Sequence, residues 1–312
     1  MVNINVYREL SSLEADLGYS AKALYSLSNS IDSHYRSVRI PKRSGEYRQL
    51  SVPDHFLKAV QRRIADILLP YEPISPYATA YRYGGSPLVN ARPHVGKDCL
   101  LKLDICHFFD SIYYPLVKAK AFPKEKYAEN LRILLTLLCV HKDTLPQGAP
   151  SSPAISNIIM CDFDNRIGGW CGRQGITYTR YCDDMTFSGH FDPQPVIQLV
   201  STELDMLGLR LNEQKTAVVR TGQKKVVTGL VVNEKLHVAS SYKKQIRQDM
   251  YYCMKFGIRS HMERRQIEGT PQAYIQKLLG KIHYALSVCP SEELLTYRQW
   301  LRTAITDLQS GT

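Results

Sequence analysis

The chain has 312 residues, of which 44% are hydrophobic and 22% are charged; this is ordinary for a globular protein and sufficient for one large or two modest domains. Forty Lys and Arg against twenty-nine Asp and Glu leave a net charge of +11, which favours polyanionic partners, nucleic acid before an acidic membrane. The sequence lacks the C-x-x-C pairs of zinc sites, an apolar stretch that could span a bilayer and a secretory signal pattern, so we expect a protein of the reducing cytoplasm without membrane contact.

The first part of the chain predicts short helices, a hairpin and a longer helix. Residues 1–36 indicate a helical N-terminal extension. The β-rich segments 38–41 and 47–52 flank the turn Arg43-Ser44-Gly45, which is typical of a hairpin. Asp54 then stands at the N-cap position of a helix whose apolar residues repeat at helical spacing.

The middle of the chain alternates between helix and strand patterns. Strands are predicted at 99–104, 177–181, 185–188, 218–221, 226–232 and 236–239, and helices at 125–140, 152–170 and 195–207. We expect 218–221 and 226–232 to pair as a second hairpin. This mixture predicts an α+β fold.

From Ser240 onward the pattern is helical throughout, with helices predicted at 242–256, 271–286 and 291–308. Eleven Lys and Arg against six Asp and Glu give residues 240–312 a net charge of +5. We therefore expect a boundary near residue 238, with a mixed domain over 37–238 and a small basic helical module over 239–312.

An acidic turn is the most informative motif. The segment Tyr181-Cys182-Asp183-Asp184 lies between two short β-rich segments, and Asp104 closes the apolar strand 99–104. An isolated Asp-Asp pair is usually an ordinary turn. Three carboxylates at the ends of adjacent strands, however, can hold two divalent cations that activate a 3′-hydroxyl and stabilise a leaving pyrophosphate.

Two further motifs fit a site of this kind. Phe109, shortly after Asp104, could lie beneath the sugar of an incoming nucleotide and exclude a 2′-hydroxyl, or it could simply pack in the core. The segment Leu145–Pro153 is a stiff turn, rich in Pro, that leads into a helix. It could carry the template base, although by itself it indicates only a helix start.

Taken in order, these motifs resemble the fingers and palm of reverse transcriptases over residues 36–235. The resemblance implies a right-hand RNA-directed DNA polymerase, with an antiparallel palm sheet flanked by helices and a small helical thumb. It also implies that Asp104, Asp183 and Asp184 are catalytic and bind two Mg²⁺ ions, with Mn²⁺ as an alternative. The residues that it places near the incoming dNTP are Lys42, Arg43, Arg48, Phe109, Gln147 and Lys215.

Two segments are similar to motifs of bacterial retron reverse transcriptases. Asn90–His94 (NARPH) matches the N-A-x-x-H motif, and Val227–Gly229 matches V-T-G. The residues that this resemblance places against RNA are Asn90, His94, Val227, Thr228 and Gly229. The alternative for the first motif is a helix segment with a surface His. Cys182 departs from the Ala that is common in this family, but its side chain is small enough to fit the turn.

The predicted helix 242–256 combines positive charge with aromatic residues on one face. This favours contact with nucleic-acid phosphates, although a solvated charged face is the alternative. We expect an RNA-binding thumb, whose candidate contacts are Lys243, Lys244, Arg247 and Tyr251.

The resemblance implies a specific function. The enzyme would prime from the 2′-hydroxyl of a guanosine in a cognate structured noncoding RNA and copy part of that RNA into DNA, giving branched RNA–DNA (msDNA) in the bacterial cytoplasm. Its partners would be that RNA, its product, dNTPs and a separate effector protein of an anti-phage system. Two alternatives stay open: an RNA-binding scaffold that holds an effector, and another bacterial reverse transcriptase of the abortive-infection or group II intron type.

Overall fold

The computed structural model describes residues 6–41, 45 and 47–309, which form two compact units. Unit 1 comprises the described residues up to Ser86 together with Asp98–Thr221. Unit 2 comprises Pro87–Lys97 and the chain from Gly222 onward. The expected boundary at residue 238 therefore lies inside unit 2.

Helices occur along the whole described chain. In chain order they are α1 (Leu10–Leu17), α2 (Ala21–Asn29), α3 (His55–Arg63), α4 (Pro87–Ala91), α5 (Tyr114–Lys120), α6 (Glu129–Cys139), α7 (Ser152–Ile159), α8 (Cys161–Arg173), α9 (Pro193–Asp205), α10 (Ser240–Phe256), α11 (Ile258–Arg264), α12 (Pro271–Val288) and α13 (Glu292–Gln309). Short 3₁₀ turns occur at Ile31–His34, Leu69–Tyr71, Arg92–His94, Phe109–Ser111 and Glu213–Lys215, and a π turn at Ile64–Leu68 continues α3. None of the described helices has the length and apolar character needed to cross a membrane.

The described strands form three antiparallel sheets. They are β1 (Tyr35–Pro41), β2 (Tyr47–Pro53), β3 (Cys99–Asp104), β4 (Thr177–Tyr181), β5 (Asp184–Gly189), β6 (Ala217–Val219), β7 (Val226–Val227), β8 (Leu230–Val231) and β9 (His237–Val238). Unit 1 holds the β1–β2 hairpin and a sheet of order β4-β5-β3-β6, and unit 2 holds a sheet of order β7-β8-β9. Together with the helices, these sheets confirm the α+β fold class.

The four-stranded sheet of unit 1 carries the acidic residues. Its central strand β3 is buried at five of six positions, and Leu101 and Leu103 belong to the main hydrophobic core. A nearly continuous apolar run suits a strand that is covered on both faces. The core therefore fixes β3 and, with it, the position of Asp104 at its end.

The N-terminal hairpin prediction is confirmed, because β1 pairs with β2 along their full length. The residues of its turn, Arg43 and Ser44, lie outside the described part of the chain. Asp54 caps α3 as expected: its carboxylate accepts a hydrogen bond from Leu57 N at 2.9 Å.

The prediction of a second hairpin is wrong. In the structure β6 pairs with β3, whereas β7 pairs with β8 through a tight turn at Thr228 and Gly229, whose φ angles are 45° and 82°. Two consecutive positive φ angles are typical of a two-residue hairpin turn. Helix bounds also differ: the predicted helix 152–170 is divided at Met160 into α7 and α8, and α6 begins only at Glu129.

The small sheet of unit 2 is built into the helices around it. α4 packs on β7 and β8, and α12 packs on β9 as well as on α10, α11 and α13. These short strands bury Val227, Leu230 and Val238 within unit 2. Because the strands share their packing with the helices, the compact unit begins at Gly222 rather than after residue 238.

Candidate active site and nucleic-acid surface

The three predicted carboxylates come together at one end of the unit 1 sheet. Asp104 is the last residue of β3 and lies directly opposite Asp184, the first residue of β5. Asp183 lies in the preceding turn, and its backbone oxygen accepts a hydrogen bond from Ile105 N at 3.2 Å. Opposed residues on antiparallel strands have Cα atoms about 5 Å apart, so the three residues share one small region.

This cluster concentrates negative charge. The pKa of the Asp184 carboxyl is raised, first by burial and then by the charges of Asp183 and Asp104. Like charges at short range favour either protonation or the binding of a cation. Since hard divalent cations take oxygen ligands, the donor set fits such an ion.

Lys215 occupies one side of this cluster. Its Nζ lies 2.9 Å from both carboxylate oxygens of Asp104, which is itself buried. Partial burial works against its charge, but the hydrogen bond with Asp104 raises the pKa of Lys215. In the described part of the chain no group of three His, Cys, Asp or Glu side chains has the geometry of a metal site. The contact between Lys215 and Asp104 places an ammonium group where a cation bound by Asp104 would compete with it.

We expect Lys215→Gln to tighten the binding of Mn²⁺ to the nucleotide-free protein by roughly fivefold. The ion would no longer compete with an ammonium group for Asp104, and a partly exposed ion pair contributes about 1 kcal/mol. Free Mn²⁺ can be titrated by electron paramagnetic resonance. Lys120→Gln, which removes a remote pair with Asp162, is the control. Equal Mn²⁺ affinities in the two variants would contradict the competition between Lys215 and the ion for Asp104.

The predicted nucleotide contacts lie in unit 1. The ring of Phe109 is half-buried in the turn after β3, 5.3 Å from the ring of Phe108. Gln147 is half-buried, Arg48 is exposed on β2, and Lys42 and Arg43 lie outside the described residues. The roles of all five in nucleotide binding stay predictions.

The turn at Gln147 packs directly on the hairpin. Ser51 N donates a hydrogen bond to the Gln147 carbonyl at 2.9 Å, and a Cβ at Gly148 would lie only 2.9 Å from the Ser51 oxygen. Gly148 also has a φ of 121°. The backbone of this turn therefore approaches β2 so closely that only a glycine fits at this position.

The two retron-like motifs meet in unit 2. The Thr228 hydroxyl donates to the Pro87 carbonyl at 2.9 Å, next to the segment Asn90–His94. Asn90, His94 and Val227 are fully or almost fully buried. The alternative of a surface His is therefore wrong. The expected RNA contacts of Asn90, His94 and the Val227–Gly229 segment stay predictions.

Burial of His94 predicts a pH-dependent stability. Its pKa is lowered to about 4, first by burial and then by Lys97. The unfolded chain binds a proton at His94 more readily than the folded chain does. The stability that depends on neutral His94 is therefore complete above about pH 6.5 and is lost as the pH falls toward 4. At about pH 4.5 we expect the free energy of unfolding to fall by roughly 2–3 kcal/mol relative to His94→Gln.

Denaturant unfolding of wild type and His94→Gln across this pH range measures the difference. His190→Gln, at a histidine whose side chain is 97% exposed, is the control and should follow the wild type. Parallel curves for wild type and His94→Gln would rule out the protonation effect.

The four expected RNA contacts on α10 have different surroundings, and their contacts with RNA stay predictions. Arg247 donates to both carboxylate oxygens of Glu293, between 2.8 and 3.0 Å, so its charge is paired. Lys243 is half-buried, whereas Lys244 is exposed. Tyr251 is exposed, and Lys255 Nζ lies 5.3 Å from the centre of its ring.

A cationic and aromatic surface continues from Tyr251. Lys255 Nζ lies 5.2 Å from the ring of Phe256, and the Arg264 guanidinium lies at 5.2 Å from the same ring. Phe256 is 41% exposed. Such groups can bind phosphates and stack on bases. Arg264 comes from α11, a helix whose bounds the sequence pattern did not predict, so its proximity to Phe256 could not be predicted from the sequence.

Comparisons with known proteins show the family to which the chain belongs. The family model for "Reverse transcriptase (RNA-dependent DNA polymerase)" matches residues 40–247. The retron Mx65 reverse transcriptase of Myxococcus xanthus is 34% identical over 265 residues, covering 78% of this chain and 62% of that protein. The retron Ec86 reverse transcriptase of Escherichia coli is 31% identical over 260 residues, covering 80% of each chain. The foamy viral protease-reverse transcriptase, solved with double-stranded DNA, is 13% identical with a TM-score of 0.46, covering 96% of this chain and 49% of that one.

The matched family region includes Asp104, Asp183 and Asp184. The chain spans less than two thirds of the Mx65 enzyme but four fifths of the Ec86 enzyme. Members of the matched family depend on divalent metal ions and bind nucleic acid. The chain therefore belongs to the reverse transcriptases and, within them, to the retron type.

Proposed function

We propose that this chain copies part of a cognate structured noncoding RNA into DNA at Asp104, Asp183 and Asp184. The observation that carries the proposal is the direct opposition of Asp104 and Asp184 on neighbouring strands, with Asp183 beside them. Two bound Mg²⁺ ions, or Mn²⁺ in their place, would activate the primer hydroxyl and stabilise the leaving pyrophosphate. The three carboxylates would hold these ions in place.

The remaining residues of unit 1 would bind the incoming dNTP. Lys215, whose side chain is largely exposed beside Asp104, would reach the leaving group with its ammonium. Arg48, with Lys42 and Arg43, would contact the triphosphate, because the hairpin carries several positive charges. Gln147 would support the template base from the turn that packs on β2.

Phe109 would select deoxyribose. We expect Phe109→Ala to raise the use of rNTPs relative to dNTPs by at least about tenfold, since removing the ring opens space for a 2′-hydroxyl. The ratio of kcat/KM values for each nucleotide on one primed RNA template measures this. Phe108→Ala is the control, because Phe108 is buried in the core beside it. An unchanged ratio in Phe109→Ala would return that ring to a packing role.

The retron relatives support a dedicated RNA and self-priming. In this proposal the primer is the 2′-hydroxyl of a guanosine in the cognate RNA, and the product is branched msDNA. The setting would be an anti-phage system of the bacterial cytoplasm with a separate effector protein. The eight cysteines are free thiols, and such thiols persist in a reducing compartment.

Sequencing the nucleic acid that co-purifies with the protein tests this proposal. We expect one RNA species joined to DNA through a 2′,5′ linkage that a debranching enzyme removes. DNA primed only from 3′ ends would exclude self-priming and favour another class of bacterial reverse transcriptase. Heterogeneous cellular RNA without DNA would exclude the dedicated template.

An RNA-binding scaffold that holds an effector is the second candidate. The cationic and aromatic surface formed by Tyr251, Lys255, Phe256 and Arg264 favours it, because such a surface can bind RNA without catalysis. A variant with Ala at Asp104, Asp183 and Asp184 separates the two candidates. Full biological effect of that variant would favour the scaffold, and its loss would favour the polymerase.

A further inference from the structure

Arg180 is the largest fully buried side chain of the described residues, and it lies in β4 just before the acidic turn. A buried guanidinium is costly unless a partner carries the opposite charge and its donors are satisfied. Asp164, on α8, supplies that partner: Arg180 Nε lies 2.9 Å from its Oδ1 and Nη2 lies 2.6 Å from its Oδ2. The ion pair therefore uses two of the three guanidinium nitrogens.

The third nitrogen binds the acidic turn itself. Arg180 Nη1 donates to the carbonyl oxygen of Cys182 at 2.8 Å, in the peptide group that leads directly into Asp183. Cys182 has a φ of 63°, a left-handed conformation that non-glycine residues rarely adopt and that surrounding contacts must hold. The guanidinium thus fixes the orientation of the peptide on which the Asp183 carboxylate depends.

Asn157, on α7, connects this pair to a second segment. Its Oδ1 accepts from Arg180 Nη2 at 3.2 Å, and its Nδ2 donates to the Ala80 carbonyl at 2.8 Å. Tyr81, the next residue, also has a left-handed φ of 56°, and its carbonyl oxygen accepts from Asn157 Nδ2 at 3.4 Å. Two strained residues beside the acidic turn are therefore held from one buried network.

We propose that Arg180, Asp164 and Asn157 are positioning residues that hold Asp183 in the orientation for metal binding before any substrate arrives. This rests on the proposed function of the carboxylates. The chemistry requires Arg at position 180, because its planar fork binds a carboxylate, an amide and a peptide carbonyl at the same time. A Lys ammonium lacks this fixed geometry.

Asn157→Ala tests the network while leaving the ion pair intact. We expect kcat for primer extension to fall by about tenfold to a hundredfold, because small misplacements of reacting groups have effects of this size. The KM for dNTP and the Kd for the primed RNA should stay within about twofold of the wild-type values. Mn²⁺ affinity, measured without substrate, should weaken at least about threefold because Asp183 is less well oriented.

Asn165→Ala is the matched control. Asn165 lies on α8 beside Asp164, and its Oδ1 accepts from Ser75 Oγ at 2.8 Å. We expect Asn165→Ala to keep kcat and Mn²⁺ affinity near the wild-type values. Both variants are compared at a temperature at which circular dichroism shows that they are folded. Equal effects of the two variants on kcat and on Mn²⁺ affinity would overturn the positioning role. Primer extension by the wild-type chain tests the proposed function separately. The Mn²⁺ titration tests the network of Arg180, Asp164 and Asn157 even if no primer is extended.

Discussion

Asp183→Asn is expected to lower kcat for extension of a primed RNA by at least about 10³-fold, equivalent to roughly 4 kcal/mol of transition-state stabilisation. The substitution keeps the size of the side chain but removes one negative charge from the cluster with Asp104 and Asp184. The affinity for the RNA itself should change little, because affinity for phosphates depends on positive side chains rather than on carboxylates. Single-turnover extension with dNTPs measures the chemical step.

Asp205→Asn is the control for this result. Asp205 is exposed at the end of α9, and its substitution removes the same charge without touching the site. It should retain wild-type kcat. If Asp183→Asn extended the primer as fast as Asp205→Asn does, the carboxylate cluster would not be the catalytic centre.

Asp164→Leu is expected to lower the free energy of unfolding by roughly 3–5 kcal/mol, because it leaves the Arg180 guanidinium buried without its counter-charge. The Tyr178 hydroxyl would also lose its acceptor, Asp164 Oδ1, which lies at 2.7 Å. Denaturant unfolding followed by circular dichroism measures the change.

Asp162→Leu on the same helix is the comparison. Its exposed pair with Lys120 at 2.7 Å should contribute no more than about 1 kcal/mol. The double variant with Leu at 164 and Met at 180 should recover much of the lost stability, since apolar residues can replace a buried pair. Its kcat should stay low, because the Cys182 carbonyl has lost its donor. Similar stability losses for Asp164→Leu and Asp162→Leu would contradict the importance of the buried pair.

Local signals explain what the sequence could predict. The alternating segments around Gly45 and the N-cap at Asp54 depend on neighbouring residues, so the hairpin and the start of α3 were predictable. Asp104 and Asp184 each stand at a strand end, and pairing of adjacent strands brings such ends together. The likeness of the ordered motifs to one family then gave the acidic cluster its expected role.

Contacts between distant segments explain what was missed. β6 pairs with β3 rather than with its neighbour β7, and alternation alone cannot choose between partners. The segment Pro87–Lys97 joins unit 2 through contacts with strands more than a hundred residues later. A basic residue inside the strand Thr177–Tyr181 was the one visible sign of the Arg180 network, but nothing local indicated Asp164 as its partner.

Primer extension by the purified wild-type chain is the most direct test of the proposed polymerase. With a primed RNA template, dNTPs and Mg²⁺, we predict synthesis of complementary DNA to the template end, and none when EDTA removes the divalent ion. Two results would contradict metal-dependent RNA copying at Asp104, Asp183 and Asp184. The first is that the chain extends no primed RNA, including the RNA that co-purifies with it. The second is that extension in EDTA equals extension in Mg²⁺.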